Sequence, residues 1–581
     1  MEELTALSNL FGGTSVEVEA SAAEKPRSGE RPVLAVGDVK EEAQLYAHLT
    51  GRCLDWVESP REIGKELPDV IVIKSLRLDC DLVQLLTLAS YGDQAPGVIW
   101  GRTREELRRQ VLVKSAAAFL NGPVAVRRVD QWSLDGSLKV SAQGIARLRE
   151  QIGQGAGVLT LFAHGDGVGQ RLGSGTAICG LLSAEGGDAS RGPRCLETDF
   201  CHRLDKPVKE AFDKGLLISP MAMSARVLVN TGCYAGFVGN PAVDSPWASL
   251  PGFVNNPRIG ALMVNPSLTY LLAGPMLNEL AKYLETGVPV GRAVVRFEEN
   301  PNIRNAGCRM LLFGDPEVRA APPAGPTLVQ REAVAFHGGP KVSAATGPVV
   351  VNDSNLANME LVRLLAQSVR SETREQGTRT SNALVECIRK HEDALASLGT
   401  DEAEVTMGAS LRTAVFQHLA TTKVRLYESW QKVATVNQVA EPQSCFNCGW
   451  RARPREVSLP GGGSRLSFIC PHCNDVMDVP LPSEPLGVSM SNSTIELPRR
   501  IAADRCGGAI FAVQFSARDT KMVPWPIDDE GKLASRVDLT EHDLPDGPVR
   551  IYAVIAEGLA IHSFGVPMRI GQPTPVGAAR S

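Results

Sequence analysis

Short apolar runs alternate with amphipathic stretches over residues 31–321. Four runs have the length and composition of buried strands: VLAV (33–36), CLDWV (53–57), DVIVI (69–73) and GVIW (97–100). Between them, DVKEEAQLYAHL and TREELRRQVLVKSA place apolar residues at the i, i+3 and i+4 spacing of a helix. Further strands are predicted at 157–163, 226–230, 260–264 and 309–313, and a helix from Leu268 to Leu284, ended by Gly287. This alternation predicts an α/β sandwich with a mostly parallel sheet, whose site lies at the carboxyl ends of the strands.

The pattern differs on either side of this region. Residues 1–30 are polar and contain proline, which predicts a disordered leader. A Pro/Gly-rich stretch at 322–350 predicts a linker or an irregular extension, and the helical periodicity of 351–441 predicts a helical domain. A cysteine-rich segment follows at 442–482, and the short alternating runs of 483–581 predict a small β-sandwich.

Composition narrows the class of protein. At 581 residues the chain is long enough for two to four domains, and its 22% charged and 43% apolar residues are typical of a soluble protein. A net charge of −5 gives no reason to expect binding to nucleic acid or to an anionic membrane, and we expect no membrane partner, because no apolar run is long enough to span a bilayer. The 13 cysteines, four of them in CxxC pairs, fit free thiols and a metal site in the reducing cytoplasm.

Two of the predicted strands end on a reactive side chain beside glycine. His164 follows VLTLFA and precedes Gly165, and Cys233 follows RVLVNTG, 69 positions later. In a parallel sheet both side chains would lie at one edge, where the imidazole could act as the base for the thiol. The N–H groups of Gly165 and Cys233 could stabilise a developing oxyanion. Either residue alone is usually a strand cap or a small core residue, but the two together favour catalysis.

These motifs resemble the caspase–hemoglobinase fold of cysteine peptidases. The segment 260–297 is similar to the strand and helix pair that follows the nucleophile in the gingipain and CHAT branches, and LLFGDPEVR (311–319) resembles their closing strand. The resemblance covers residues 31–321. It implies a cysteine endopeptidase that cleaves protein substrates, with His164 as general base, Cys233 as nucleophile and Gly165 as an oxyanion contact. It also implies a role in bacterial antiviral defence or cell death, and activation by a protein partner. TGCYAG departs from the caspase QACRG pattern, so cleavage after aspartate is not implied.

Three carboxylates are candidates for a pocket that selects a basic residue: Asp38, at the end of the first strand, Asp166, beside the base, and Asp199. Each could equally be a turn residue. The polar segment 183–203 could border the site, with Arg191 and Arg194 as cleavage points, or be a plain surface loop. Two other arrangements are expected to be inert: His337, in a Gly/Pro-rich stretch behind the closing strand, and the adjacent Cys201 and His202, whose side chains would point to opposite faces of a strand.

The cysteine-rich segment carries a stronger signal. Cys445, Cys448, Cys470 and Cys473 form two CxxC pairs separated by 21 residues, the ligand spacing of a structural zinc ribbon. His472 lies between the ligands and is expected to be a bystander. Trp450, Arg451, Arg453 and Arg455 form an aromatic and basic group that could bind nucleic acid or be an ordinary solvated hairpin face.

The sequence therefore predicts a cytoplasmic cysteine endopeptidase with a C-terminal module that contains structural zinc. The alternative is a non-catalytic scaffold that binds a partner through the zinc ribbon and the β-sandwich. No motif indicates the substrate, the residue preferred before the cut, the activating signal or the oligomeric state.

Overall fold

The computed structural model describes two stretches of the chain, 32–321 and 435–570, each with internal gaps. The gaps in the first stretch are 65–66, 76–81, 84, 87–92, 120–125, 131–145, 147–148, 151, 173–174, 185–191, 202, 240–242, 244, 267–273 and 301–309. Those in the second are 446, 459–463, 471, 482–485, 487, 492–493, 498–500, 502–505, 515–519, 545–546 and 558–559. The predicted leader, linker and nearly all of the helical domain, with His337, Arg191 and His202, lie outside the described residues.

The first stretch alternates strands and helices, as the hydrophobic pattern predicts. Its strands are β1 Val33–Val36, β2 Leu54–Val57, β3 Val70–Lys74, β4 Gly97–Gly101, β5 Val126–Asp130, β6 Val158–Phe162, β7 His164–Gly165, β8 Gly169–Leu172, β9 Thr176–Cys179, β10 Phe200–Cys201, β11 Lys206–Pro207, β12 Leu217–Ile218, β13 Ala225–Asn230, β14 Ile259–Val264 and β15 Leu311–Phe313. Its helices are α1 Lys40–Thr50, α2 Arg104–Phe119, α3 Arg194–Thr198, α4 Val208–Asp213, α5 Ser249–Val254, α6 Gly274–Glu285 and α7 Val290–Glu299.

Nine of these strands form one sheet that consists of two parallel halves of opposite direction. The strand order is β2-β1-β3-β4-β15-β14-β13-β6-β5. β15 is parallel to β4 but antiparallel to β14, whereas every other neighbouring pair is parallel. The carboxyl ends of β1, β3 and β4 therefore lie at one rim of the sheet, and those of β6, β13 and β14 lie at the opposite rim. The prediction of a mixed α/β fold with a mostly parallel sheet is confirmed, and this reversal is a feature that it did not include.

Both faces of the nine-stranded sheet are buried, which explains why its strands are apolar runs without alternation. One face packs against α1 and α2 in the N-terminal half and against α6 and α7 in the other half. The other face packs on α5 and on a small sheet of order β12-β9-β8-β7. Among the described residues, no helix is both long and apolar enough to cross a membrane.

The closing strand β15 is followed by a buried ion pair. Arg52 donates to both oxygens of Asp315, at 2.7 and 3.0 Å, and Tyr46 donates to the same carboxylate. Burial opposes the charge of Arg52, but the Asp315 carboxylate raises the pKa of this guanidinium above its ordinary value. Asp315 of the GDP segment thus joins β15 to α1 and the loop after it, and its role is structural.

The second stretch is rich in strands. They are β16 Thr435–Val439, β17 Gln443–Ser444, β18 Arg451–Ala452, β19 Arg455–Ser458, β20 Ser464–Cys470, β21 Asn474–Leu481, β22 Ser489–Ser491, β23 Thr494–Glu496, β24 Cys506–Gln514, β25 Thr520–Pro524, β26 Arg536–Asp538, β27 Gly547–Glu557 and β28 Ala560–Ile570. Eight of them form an antiparallel sheet of order β16-β19-β20-β21-β28-β27-β24-β25. A three-stranded sheet, β22-β23-β26, shares an apolar core with it.

Two boundaries differ from the sequence-based prediction. Residues 435–439 were assigned to the helical domain but form β16, which pairs with β19. The sequence predicts a domain boundary between 482 and 483, yet β21 pairs with β28 across it through Met477 and Phe564. Pairing partners so distant along the chain cannot be read from a local hydrophobic pattern.

Candidate active site and four-cysteine cluster

The strands that precede His164 and Cys233 are neighbours in the sheet and run in the same direction. β6 pairs with β13 in parallel, with Leu161 opposite Asn230. The N–H of Thr231 donates to the carbonyl of Leu161 at 3.0 Å, so the alignment continues past the end of β13. Both segments therefore leave the sheet at one rim, as the motifs predict. Of His164 the structure describes the backbone, which lies in β7 opposite Arg171 of β8.

The two segments touch through glycine. A Cβ added to Gly165 would lie 2.5 Å from the carbonyl oxygen of Cys233, a distance that real Cβ atoms essentially never show. A Cβ added to Gly232 would lie 3.0 Å from the carbonyl oxygen of Ala163. The backbone beside His164 is thus packed directly against the backbone of the nucleophile candidate. This approach requires glycine at 165, whereas a side chain at 232 would need its neighbours to shift by a few tenths of an ångström.

Cys233 lies in a tight turn at the end of β13. The N–H of Gly232 donates to Asn230 Oδ1 at 3.1 Å, and that of Ala235 donates to the Gly232 carbonyl at 3.1 Å. Tyr234, next to the cysteine, has a φ of 56°, which is unusual for a bulky residue. Strained backbone of this kind is found most often at functional sites. The Cys233 residue is buried, with 8% of its surface exposed.

The turn between β7 and β8 is held by Asp166. Its Oδ1 accepts the N–H groups of Val168 and Gly169, at 3.1 and 2.8 Å. Its Oδ2 accepts from Arg203 Nε at 3.0 Å, in an ion pair. Asp166 therefore lies near the candidate site, as predicted, but its charge is already paired with Arg203.

Asp38 does not reach this site. It follows β1, whose carboxyl end lies at the opposite rim of the sheet, five strands away from β13. Its side chain is exposed and forms ion pairs with Arg104 at 3.0 Å and Lys74 at 3.7 Å. The prediction that Asp38 lines a substrate pocket at the Cys233 rim is wrong, because strand direction reverses between β15 and β14.

The composition of 192–201 predicts a loop, but the segment contains the helix α3 and the short strand β10. Arg194 begins α3 and is half-buried, and Asp199 is exposed at the end of this helix, with a φ of 48°. Cys201 is buried in a small apolar cluster with Ala211 and Leu217. Asp199 caps a helix with its backbone in the left-handed region, and its carbonyl accepts the N–H of Val208 at 2.9 Å.

The predicted metal ligands come together. Cys445, Cys448, Cys470 and Cys473 place their sulfur atoms within 4.8 Å of one another, and the sulfurs of Cys448 and Cys470 are 3.7 Å apart. Hydrogen bonds from the neighbouring thiols, that of Cys445 first, lower the pKa of Cys448, whereas burial raises the pKa of Cys470. This four-cysteine cluster is compatible with a bound metal ion.

The cluster lies on the C-terminal sheet. Arg550 of β27 donates to the carbonyl of Cys473 at 2.8 Å, and Asn447 donates to the carbonyl of Gly565 in β28 at 3.1 Å. Arg569 of β28 donates to the carbonyl of Gly192 at 2.6 Å, just before α3. The strands β27 and β28 thus contact both the four-cysteine cluster and the segment between the two catalytic candidates.

The aromatic member of the predicted nucleic-acid patch is not available for base stacking. Trp450 is buried, with 5% of its surface exposed, and stacks on His472 with ring centroids 5.0 Å apart. Arg451 is exposed and donates to the carbonyl of Pro442. The arrangement favours the interpretation of this group as an ordinary hairpin.

Two residues near the candidate dyad were missed by the sequence analysis. Asn230 ends the apolar strand β13, and Gln170 lies in β8, opposite Gly165. Both are fully buried, and Asn230 Nδ2 donates to Gln170 Oε1 at 3.1 Å. Their signal in the sequence is an amide side chain within an apolar segment close to His-Gly or Gly-Cys.

The chain matches no protein-family model, no curated protein and no solved structure. The resemblance of its motifs to caspase–hemoglobinase peptidases therefore stays a prediction.

Proposed function

We propose that the protein is a cysteine endopeptidase with Cys233 as nucleophile and His164 as general base. The observation that carries the proposal is the contact between the two strand ends: β6 and β13 are parallel neighbours, and the backbone of Gly165 packs on the carbonyl of Cys233. A nucleophile and its base need this proximity, and the strained turn at Tyr234 supports a functional role for the same rim.

In the proposed reaction the thiolate of Cys233 attacks the carbonyl carbon of a peptide bond and forms a carbon–sulfur bond. The backbone N–H groups of Gly165 and Cys233 are the candidate donors to the oxyanion, as in other acyl transfers. His164, which has taken the proton of the Cys233 thiol, delivers it to the departing amine as the carbon–nitrogen bond breaks. Water then hydrolyses the thioacyl-enzyme, which releases the acid and restores the thiol.

The test is cleavage of a peptide library by wild-type protein and by the Cys233→Ala variant. We expect the variant to lose cleavage by about 10⁴-fold or more while it keeps its circular dichroism spectrum. A thiol-reactive peptide probe should label Cys233 in the wild type.

Cys201→Ala and His337→Ala are the controls, and both should still cleave. Cysteine-dependent cleavage that survives in the Cys233→Ala variant would overturn the assignment. A wild-type chain without any cleavage, whose β27–β28 sheet binds a protein partner, would favour the scaffold function instead.

We also propose that the four-cysteine cluster binds zinc in a structural role. Tetrahedral coordination with Zn–S bonds of about 2.3 Å places neighbouring sulfurs about 3.8 Å apart, close to the 3.7 Å between Cys448 and Cys470. A dication would also compensate the thiolate charge that burial disfavours. We expect one zinc ion per chain by native mass spectrometry and none in the Cys470→Ser variant. A full complement of zinc in that variant would contradict the ligand set.

A further inference from the structure

A pair of buried amide side chains lies directly behind the Cys233 turn. Asn230 is three residues before the cysteine, and Gln170 faces Gly165 across the β7–β8 pair. Neither side chain is exposed to solvent. A Cβ on Gly232 would lie 3.3 Å from Gln170 Cδ, and one on Gly165 would lie 3.2 Å from Gln170 Cγ. The Gln170 side chain is thus packed against both glycines of the candidate site.

The hydrogen bonds of this pair run in one direction. Gly232 N–H can only donate, so the atom of Asn230 that it meets at 3.1 Å is the oxygen Oδ1. The other end of that amide, Nδ2, must then donate, and the atom of Gln170 at 3.1 Å is its oxygen. The orientation of both amides is therefore fixed by the backbone N–H of Gly232, without an arbitrary choice between nitrogen and oxygen.

The last donor group of this series is the amide nitrogen of Gln170. Gln170 Nε2 is buried and finds no hydrogen-bond acceptor among the residues that the structure describes. Buried side-chain donors are nearly always paired, and those left unpaired call for an explanation. The charged neighbours on the adjoining turn, Asp166 and Arg203, are paired with each other and do not satisfy it.

We infer that Gln170 is a positioning residue for Cys233. Through Asn230 it fixes the N–H of Gly232 and so the turn that carries the sulfur, and it can do so only as a neutral side chain of this length. The inference rests on the proposed peptidase function. It deepens that function, because it adds a buried amide pair to the residues on which the reaction depends.

The test compares Gln170→Glu and Gln170→Met with the wild type in peptide cleavage. Glutamate keeps the acceptor for Asn230 but adds a buried negative charge, whereas methionine keeps the length and removes the acceptor. We expect Gln170→Met to lower kcat about ten- to a hundred-fold with KM within about two-fold of the wild type. We expect Gln170→Glu to approach wild-type kcat at about pH 6, where a buried carboxyl is protonated, and to lose at least about ten-fold by about pH 9.

Alkylation of Cys233 by iodoacetamide is measured on the same proteins, because it needs the thiol but no oxyanion. For Gln170→Glu the pH of half-maximal alkylation should move up by about one unit, and for Gln170→Met the rate should stay within about two-fold of the wild type. This readout separates the two proposals: a wild type that is alkylated but cleaves no peptide refutes the peptidase, while the shift in Gln170→Glu still reports on the amide pair.

The matched control is Gln110→Glu. Gln110 is also fully buried, and its Nε2 donates to the carbonyl of Asn255, before the amino end of β14 and away from the Cys233 rim. This variant should lower thermal stability without altering either pH profile. The inference is overturned if Gln170→Met keeps kcat within about two-fold, or if Gln170→Glu and Gln110→Glu have the same profiles. If Gln170→Glu does not fold, the result with Gln170→Met decides.

Discussion

The two halves of the nine-stranded sheet are built alike but end differently. In the half with β6, β13 and β14, β6 leads into His164 and Gly165, and β13 leads into the turn of Cys233. There the backbone of Gly165 packs against the Cys233 carbonyl. In the half with β1, β3 and β4, the strands lead to an opposite rim, where Asp38 is exposed and paired with Arg104 and Lys74. Parallel strands with helices therefore do not by themselves place a site. What distinguishes the first rim is the contact between the backbone of Gly165 and that of Cys233, the candidate nucleophile.

The largest effect on stability is expected at the buried ion pair that closes the N-terminal half. Asp315→Ala leaves the Arg52 guanidinium buried without its carboxylate, which typically lowers the free energy of unfolding by about 3–5 kcal/mol. Urea denaturation measures this change. A loss of less than about 1 kcal/mol would show that Asp315 does not hold β15 against α1.

Gly165→Ala should lower peptide cleavage, whereas a comparable substitution in the N-terminal half should not. The added Cβ would lie 2.5 Å from the carbonyl of Cys233, so the two strand ends must move apart. We expect a loss of about 100-fold in kcat/KM, since small displacements of reacting groups have effects of this size. Gly64→Ala is the control in the N-terminal half, where an added Cβ meets nothing within 4 Å. If both variants cleaved peptides equally well, the contact between Gly165 and the Cys233 carbonyl would not be needed for catalysis.

Lys114 links the halves and makes stability depend on pH. It lies in α2 and donates to the carbonyl of Ile259 in β14, and burial lowers the pKa of its ammonium to about 7. The unfolded chain holds that proton up to about pH 10. Between these values the unfolded state binds more protons, so the free energy of unfolding rises with pH. Below pH 7 the folded protein holds a buried charged ammonium, and the full cost of burying it lowers the free energy of unfolding.

Lys114→Met should remove this dependence. The difference in unfolding free energy between the variant and the wild type should shrink by about 2 kcal/mol from about pH 7 to about pH 9. Urea denaturation at the two pH values checks it. A constant difference would mean that the lysine titrates normally in the folded protein.

The smallest effect is expected at Asp38. Asp38→Asn removes exposed ion pairs, so it should change the free energy of unfolding by less than about 0.5 kcal/mol. Cleavage of peptides with a basic residue before the cut should be unaltered, because Asp38 lies at the rim opposite Cys233. If Asp38→Asn selectively lost cleavage of these basic peptides, Asp38 and Cys233 would have to lie at the same rim of the sheet.

Local patterns predict local features of this molecule well. The run VLAV is β1 to the residue, because a four-residue stretch of buried Val, Leu and Ala is a strand signal in itself. The four cysteines were also predictable, since ligands three positions apart in a turn come together whatever surrounds them.

The direction of a strand and its long-range partners cannot be predicted from local patterns in this way. An apolar run encodes burial but not the direction in which β15 crosses the sheet, so the rim of Asp38 could not be assigned from it. The hydrogen bond between Gln170 and Asn230 joins residues 60 positions apart. Such partners become visible only when β8 and β13 are placed in space.

The pairing of β21 with β28 decides how the chain can be divided. The strand that follows the last cysteine ligand gains its second neighbour from the final described hairpin, β27–β28. A fragment that stopped near residue 482 would keep all four cysteines but expose the open backbone edge of β21, a template for aggregation. We therefore expect that the four-cysteine hairpin is soluble on expression only if the chain continues through Ile570.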